Sequence, residues 1–121
     1  MSANARKGEV EIEFAGKTMT MRATFDCITR IEQQTGENIV PLLARIIRSD
    51  IGYKDAAIII SEGLRAGSEE GGVTLKAVGE EIFERGISEF VEPCVRLLHL
   101  GVGGPRTEAD DPPMKATKAK S

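Results

Sequence analysis

The single histidine, His99, and the two cysteines, Cys27 and Cys94, are the side chains best equipped for nucleophilic or metal chemistry. Thiolate catalysis needs a base held beside the sulfur. Cys94 and His99 are five residues apart, which puts them on different faces of a helix. One histidine and two distant cysteines do not make a metal-ligand spacing. Glu80, Glu81 and Glu84 could support acid–base work or hold a cation. Neighbouring carboxylates on one helix read instead as a solvated face, and no Asp-x-Asp loop accompanies them. Gly101-Val102-Gly103-Gly104 has the composition of a phosphate cradle but not its setting, which is a strand, a loop with Lys-Ser/Thr, and a helix. No catalytic, cofactor or metal site is expected, and the chain reads as a non-enzyme that binds protein.

The elements behind these residues belong to one domain. The chain has 121 residues, 40% hydrophobic and 29% charged, which suits one globular core. Aromatics are 4% with no Trp, so the core must be aliphatic, and stacking platforms for single-stranded nucleic acid are missing. Net charge is −3, and the stretch Gly101–Ser121 holds four basic against three acidic residues. The body is therefore more acidic than the whole, which disfavours a nucleic-acid partner. Cys27 and Cys94 sit within apolar helical patterns and are expected as reduced core thiols. Met1–Lys7 is a short polar lead without an apolar run, and no stretch has the roughly 20 apolar residues of a membrane span. No signal peptide and no membrane association are expected, and the expected location is the cytoplasm.

Period-two alternation marks a hairpin over residues 8–22. Val10, Ile12 and Phe14 alternate with Glu9, Glu11 and Glu13; Met19 and Met21 alternate with polar residues. A two-residue turn at Ala15-Gly16 pairs Phe14 with Lys17, Ile12 with Met19 and Val10 with Met21. Two strands alone are marginal, so the hairpin must lie on helices. Thr24 caps the first helix and Gly36 ends it. The second begins near Asn38, with Pro41 in its first turn. The third runs from about Tyr53 to Arg65, and its Ile58-Ile59-Ile60 segment is apolar on most sides, as in a central helix. The loop Gly67–Gly72 precedes a fourth helix capped by Thr74 and broken by Gly86. A fifth carries Ile87 to Leu98, with Pro93 kinking it or marking its true start. From Gly101 the pattern dissolves, and residues 101–121 read as a disordered tail.

The predicted fold is α+β and mainly helical: a two-stranded antiparallel hairpin on four to five helices, with a globular domain over residues 8–100. Val10, Ile12, Phe14, Met19, Phe25, Ile28, Ile58, Ile59, Leu64, Phe83 and Phe90 are expected to be buried. The second helix carries an apolar face of Leu42, Leu43, Ile46 and Ile47, which is the candidate wall of a protein-binding groove; core packing is the competing explanation.

The run Gly8-Glu-Val-Glu-Ile-Glu-Phe-Ala-Gly-Lys17, then Met21-Arg-Ala-Thr-Phe-Asp26, Ile31-Glu-Gln-Gln-Thr-Gly36 and Gly63-Leu-Arg-Ala-Gly67, resembles the gene transfer agent and phage family described as tail assembly chaperones, also labelled tail-tube-related. The likeness covers about residues 8–101. It implies a chaperone that binds and solubilises the tape measure protein during tail assembly, with other tail assembly proteins as partners and room for homo-oligomers. The alternative is a structural tail component, a tube or terminator subunit. A small transcriptional regulator would need a basic recognition helix, and Arg45 and Arg48 are too few.

Overall fold

The computed structural model describes residues 8–68 and 72–103. Strands β1 (Glu9–Phe14) and β2 (Lys17–Arg22) form an antiparallel hairpin, followed by helices α1 (Phe25–Thr35), α2 (Ile39–Ile47), α3 (Tyr53–Gly67) and α4 (Leu75–Arg85). A short 3₁₀ turn at Ile87–Phe90 leads into α5 (Val91–Gly103). This is the α+β, mainly helical architecture that the sequence predicts.

The hairpin register is the expected one: Phe14 faces Lys17, Ile12 faces Met19 and Val10 faces Met21. Val10, Ile12, Phe14 and Met21 are buried, while Glu13 faces solvent. Ala15 and Gly16 both have positive φ, 52° and 80°, the pattern of the hairpin turn whose twist matches the strands. Beyond the ladder, the Ala23 N–H donates to the Gly8 carbonyl at 2.8 Å.

Several helix ends are set by local bonds. The Thr24 hydroxyl accepts the Cys27 N–H at 3.0 Å, and the Thr74 hydroxyl accepts that of Ala77 at 3.2 Å. Gly36 ends α1 in the left-handed region at φ 77°, returning its N–H to the Glu32 carbonyl. Asn38 holds the N-cap position of α2 without a side-chain cap bond. The Glu32 carboxylate takes that task, accepting the Ile39 N–H at 2.9 Å. Pro41 and Pro93 are each the third residue of their helices, where a missing N–H leaves no intrahelical bond unmade. Pro93 thus marks the true start of α5, after the 3₁₀ turn.

Helix α3 is central. It packs against β2, α1, α4 and α5, and Ala56 to Ile60 and Leu64 are all buried. Full burial of an isoleucine or leucine side chain contributes about 1.5–3 kcal/mol, so α3 supplies much of the aliphatic core. Gly63 and Gly67 lie one turn apart where α3 meets β2.

Three expectations are corrected. Phe25 is 86% exposed and Phe83 72% exposed. On α1 the core direction is set by Cys27 and Ile31, and at 3.6 residues per turn Phe25 points roughly 140° away from it. On α4 the core direction is set by Val78 and Ile82, and Phe83 lies roughly 120° off. Met19 and Ile28 are only partly buried. Finally, α5 continues through Gly103, so Gly101–Gly103 belongs to the folded body. A Cβ on Gly101 would stand 2.6 Å from Ile28 Cδ1, so α5 is seated closely against α1 there. The rest of the expected tail, the lead at residues 1–7 and part of the loop Gly67–Gly72 lie outside the described residues.

Candidate protein-binding surfaces

The residues with chemical potential are kept apart. Cys27 and Cys94 are buried free thiols. Burial pushes the Cys27 thiol up to about 12 despite the hydrogen bond from its backbone partner Thr24, and burial raises Cys94 as well. Neither is a ready nucleophile. His99 is exposed on α5, whereas Cys94 faces the core. Among the described residues no group of three or more His, Cys, Asp or Glu converges to hold a metal ion. No helix among them is long and apolar enough to cross a membrane.

The charged side chains instead join elements. Glu62 on α3 is a buried charged residue, 4% exposed. Its carboxylate accepts from Arg30 Nε at 2.9 Å, Gln34 Nε2 at 2.6 Å and Arg65 Nε at 2.9 Å. Burial alone would raise its pKa, but the bonds from Arg30, Gln34 and Arg65 hold it below the usual carboxylate value. Arg65 also reaches Asp26 at 2.7 Å, closing a network between α1 and α3. Arg45 does the same for α2. It pairs with Glu37 before the helix and with Asp55 at 2.8 Å on α3, and donates to the Asp50 carbonyl at 2.7 Å.

The acidic face of α4 differs from its sequence reading. Glu80 is solvated and pairs with Lys76 one turn back at 2.7 Å. Glu81 is only 19% exposed, and its carboxylate accepts the Ala15 N–H of the hairpin turn at 3.0 Å. Arg85 donates to the Glu13 carbonyl at 2.7 Å and lies 4.7 Å from the centre of the Phe90 ring. Glu81 and Arg85 together pin the hairpin tip to α4. Sequence periodicity had no means of finding this bond, because the turn and α4 are brought together only by the tertiary fold.

Of the proposed groove wall, Leu42, Leu43 and Ile46 are buried in the core of the same chain. Ile47 is 58% exposed. Val40, also on α2, is 60% exposed, and the open aromatic surfaces lie on other elements. Of four phenylalanines and one tyrosine, Phe14 and Phe90 are buried, and Phe25, Phe83 and Tyr53 are exposed. Phe83 and Tyr53 form a pair with ring centres 5.8 Å apart. Phe83 rises from a shallow surface with Lys76, Gly79, Glu80 and Glu84. Phe25 borders a groove of about 240 Å³ whose floor includes Ala23, Ile28, Leu100 and Gly101. Exposed aromatics beside apolar grooves are characteristic of protein-binding surfaces.

Comparison with curated proteins and with solved structures gave no match. The model of one protein family, described as phage tail tube protein, GTA-gp10, matches residues 7–104. That span takes in the hairpin, all five helices and both exposed aromatic surfaces, and the chain belongs to this phage and gene transfer agent tail family.

Proposed function

We propose that this protein is a structural component of the tail of a phage or gene transfer agent, working by contact with other tail proteins and not by catalysis. The observation that carries the reading is the family match over residues 7–104, whose description is a tail tube protein. The two exposed aromatic surfaces support it, since an assembling subunit must offer at least two contacts. The decisive experiment is quantitative mass spectrometry of purified particles. A tail component is present at a fixed, multi-copy ratio to other tail proteins. Its absence from particles that contain the rest of the tail overturns the reading.

A tail assembly chaperone is the second reading, favoured by one specific observation. The described residues are dominated by helix, and their only sheet is the two-stranded hairpin, whereas a tube wall of β-sheet needs more strands. A chaperone would co-purify with the tape measure protein before assembly and leave the finished particle. For that role Ile47 is the accessible member of the α2 face, while Leu42, Leu43 and Ile46 would become available only if α2 moved off the core.

A further inference from the structure

The two exposed aromatic surfaces differ in shape and in charge. One is a projection: Phe83 on α4, braced by Tyr53 at 5.8 Å. Glu84 beside it is exposed and has no ion pair among the described residues. The other is a recess of about 240 Å³ between the β2–α1 junction and the end of α5, bordered by Phe25 with Ile28 and Leu100 on its floor. Arg96 lies one turn before Leu100 on α5, on the same face. It too is exposed, without an ion pair among the described residues. An aromatic projection beside a carboxylate without an ion pair among the described residues thus complements an apolar recess whose wall residue Leu100 has Arg96 one helical turn away. The two sit on different helices, α4 and α1/α5, each packed on the central α3.

We propose that these surfaces join copies of this chain head to tail, Phe83 of one copy entering the Phe25–Ile28–Leu100 recess of the next, with Glu84 opposite Arg96. A contact between two different surfaces of the same chain is heterologous and propagates into a ring or an open stack, according to the rotation it imposes. Burying two aromatic side chains supplies the apolar area, and the flanking charges fix orientation. This inference rests on the tail-component reading for its purpose, but its geometry is separate. A chain absent from particles could still self-associate, and a particle component could still be monomeric alone.

The test is native mass spectrometry and sedimentation velocity on the full chain, with far-UV circular dichroism to confirm folding. Wild type should assemble as concentration rises. F25E and F83E should each be monomeric alone. Mixed in equal amounts, they should form a one-to-one dimer that grows no further, because the intact Phe83 of one chain meets the intact recess of the other. F25S and F83S serve if either glutamate variant misfolds. R96E should weaken assembly at least tenfold, and mixing it with E84R should restore the contact. A wild-type chain that stays monomeric at every concentration overturns the proposal. So do variants that assemble like wild type, or a mixture of F25E and F83E that stays monomeric.

Discussion

Gly67, the last residue of α3, lies directly on the Thr20 carbonyl of β2: a Cβ there would stand 2.2 Å from the Thr20 oxygen and 2.8 Å from its carbon. One turn earlier, a Cβ on Gly63 would meet the Leu97 side chain at 2.8 Å and Met21 at 3.0 Å. Of the two glycines of the Gly63-Leu-Arg-Ala-Gly67 motif, Gly67 therefore lets α3 touch the hairpin backbone, and Gly63 lets it close on the side chains of Met21 and Leu97. The arginine between them links α1 to α3 through Asp26 and Glu62. A motif met in sequence as a family resemblance has a packing explanation.

The first prediction follows from the difference between these contacts. Gly67→Ala presses on backbone, which cannot step aside, and should destabilise the protein by about 2–3 kcal/mol. Gly63→Ala presses on flexible side chains and gains helix propensity of about 1 kcal/mol, so its net loss should be smaller. Urea unfolding midpoints of the two variants give the order, and equal losses would contradict this account of the α3–β2 contact.

Glu62 makes stability depend on pH. Its folded pKa lies below the unfolded value near 4.5. The stabilisation is therefore complete above that unfolded value and is lost as pH falls through it toward the folded pKa. Glu62→Gln should cost about 1–3 kcal/mol at pH 7, because Arg30 and Arg65 lose their buried partner but remain partly solvated. It should also flatten the fall in stability on acidification. Denaturant titrations of wild type and variant at pH 7 and pH 4 measure both effects; an unchanged acid slope would remove Glu62 as its source.

Ala15 holds a left-handed conformation at φ 52°, which disfavours a residue with a Cβ. Asn adopts that conformation more readily. Ala15→Asn should stabilise by about 0.5–1 kcal/mol, read as a rise in thermal midpoint, while the N–H bond to Glu81 is kept. A fall in midpoint would show that the turn is tuned to Ala by something other than backbone conformation.

Arg85 joins three elements by its bond to Glu13, its pair with Glu89 at 3.0 Å and its position over Phe90. Arg85→Ala should cost about 1–2 kcal/mol. Hydrogen exchange should locate much of the loss in the hairpin, and an effect confined to the end of α4 would mean that the hairpin is held without it.

The α2 face divides sharply under substitution. Leu43→Glu places a charge at a position 7% exposed and should unfold the chain, since a buried unpaired charge is costly. Ile47→Glu should melt like wild type. Circular dichroism melts of the two variants separate the outcomes, and co-purification of Ile47→Glu with the tape measure protein then bears on the chaperone reading.

Much of the fold was legible because short-range rules governed it. Alternation gave the hairpin register, Thr24 and Thr74 gave two helix starts, and Ile58–Ile60 marked the central helix. Phe25 and Phe83 face outward because hydrophobicity alone does not set direction on a helix. Each lies more than a quarter-turn from the stripe that its own helix buries, and counting from Cys27 and Ile31, or from Val78 and Ile82, would have turned both outward. The Glu62 network was not legible. Arg30 with Gln34 and Glu62 with Arg65 each share a helix face by spacing, but which faces meet is decided only when α1 lies on α3. Ile47 was grouped with Leu42, Leu43 and Ile46 for the same reason: the width of an apolar stripe does not tell how much of it a neighbour will cover.

The pairing of Tyr53 with Phe83 has an optical consequence. The chain contains one tyrosine and no tryptophan, so emission excited at wavelengths longer than phenylalanine absorbs arises from a single fluorophore, Tyr53, at the surface where α3 meets α4. Its anisotropy and its quenching by acrylamide report on that surface alone, without a dye or an introduced label. The molecule carries its own gauge of whether Phe83 is covered or bare.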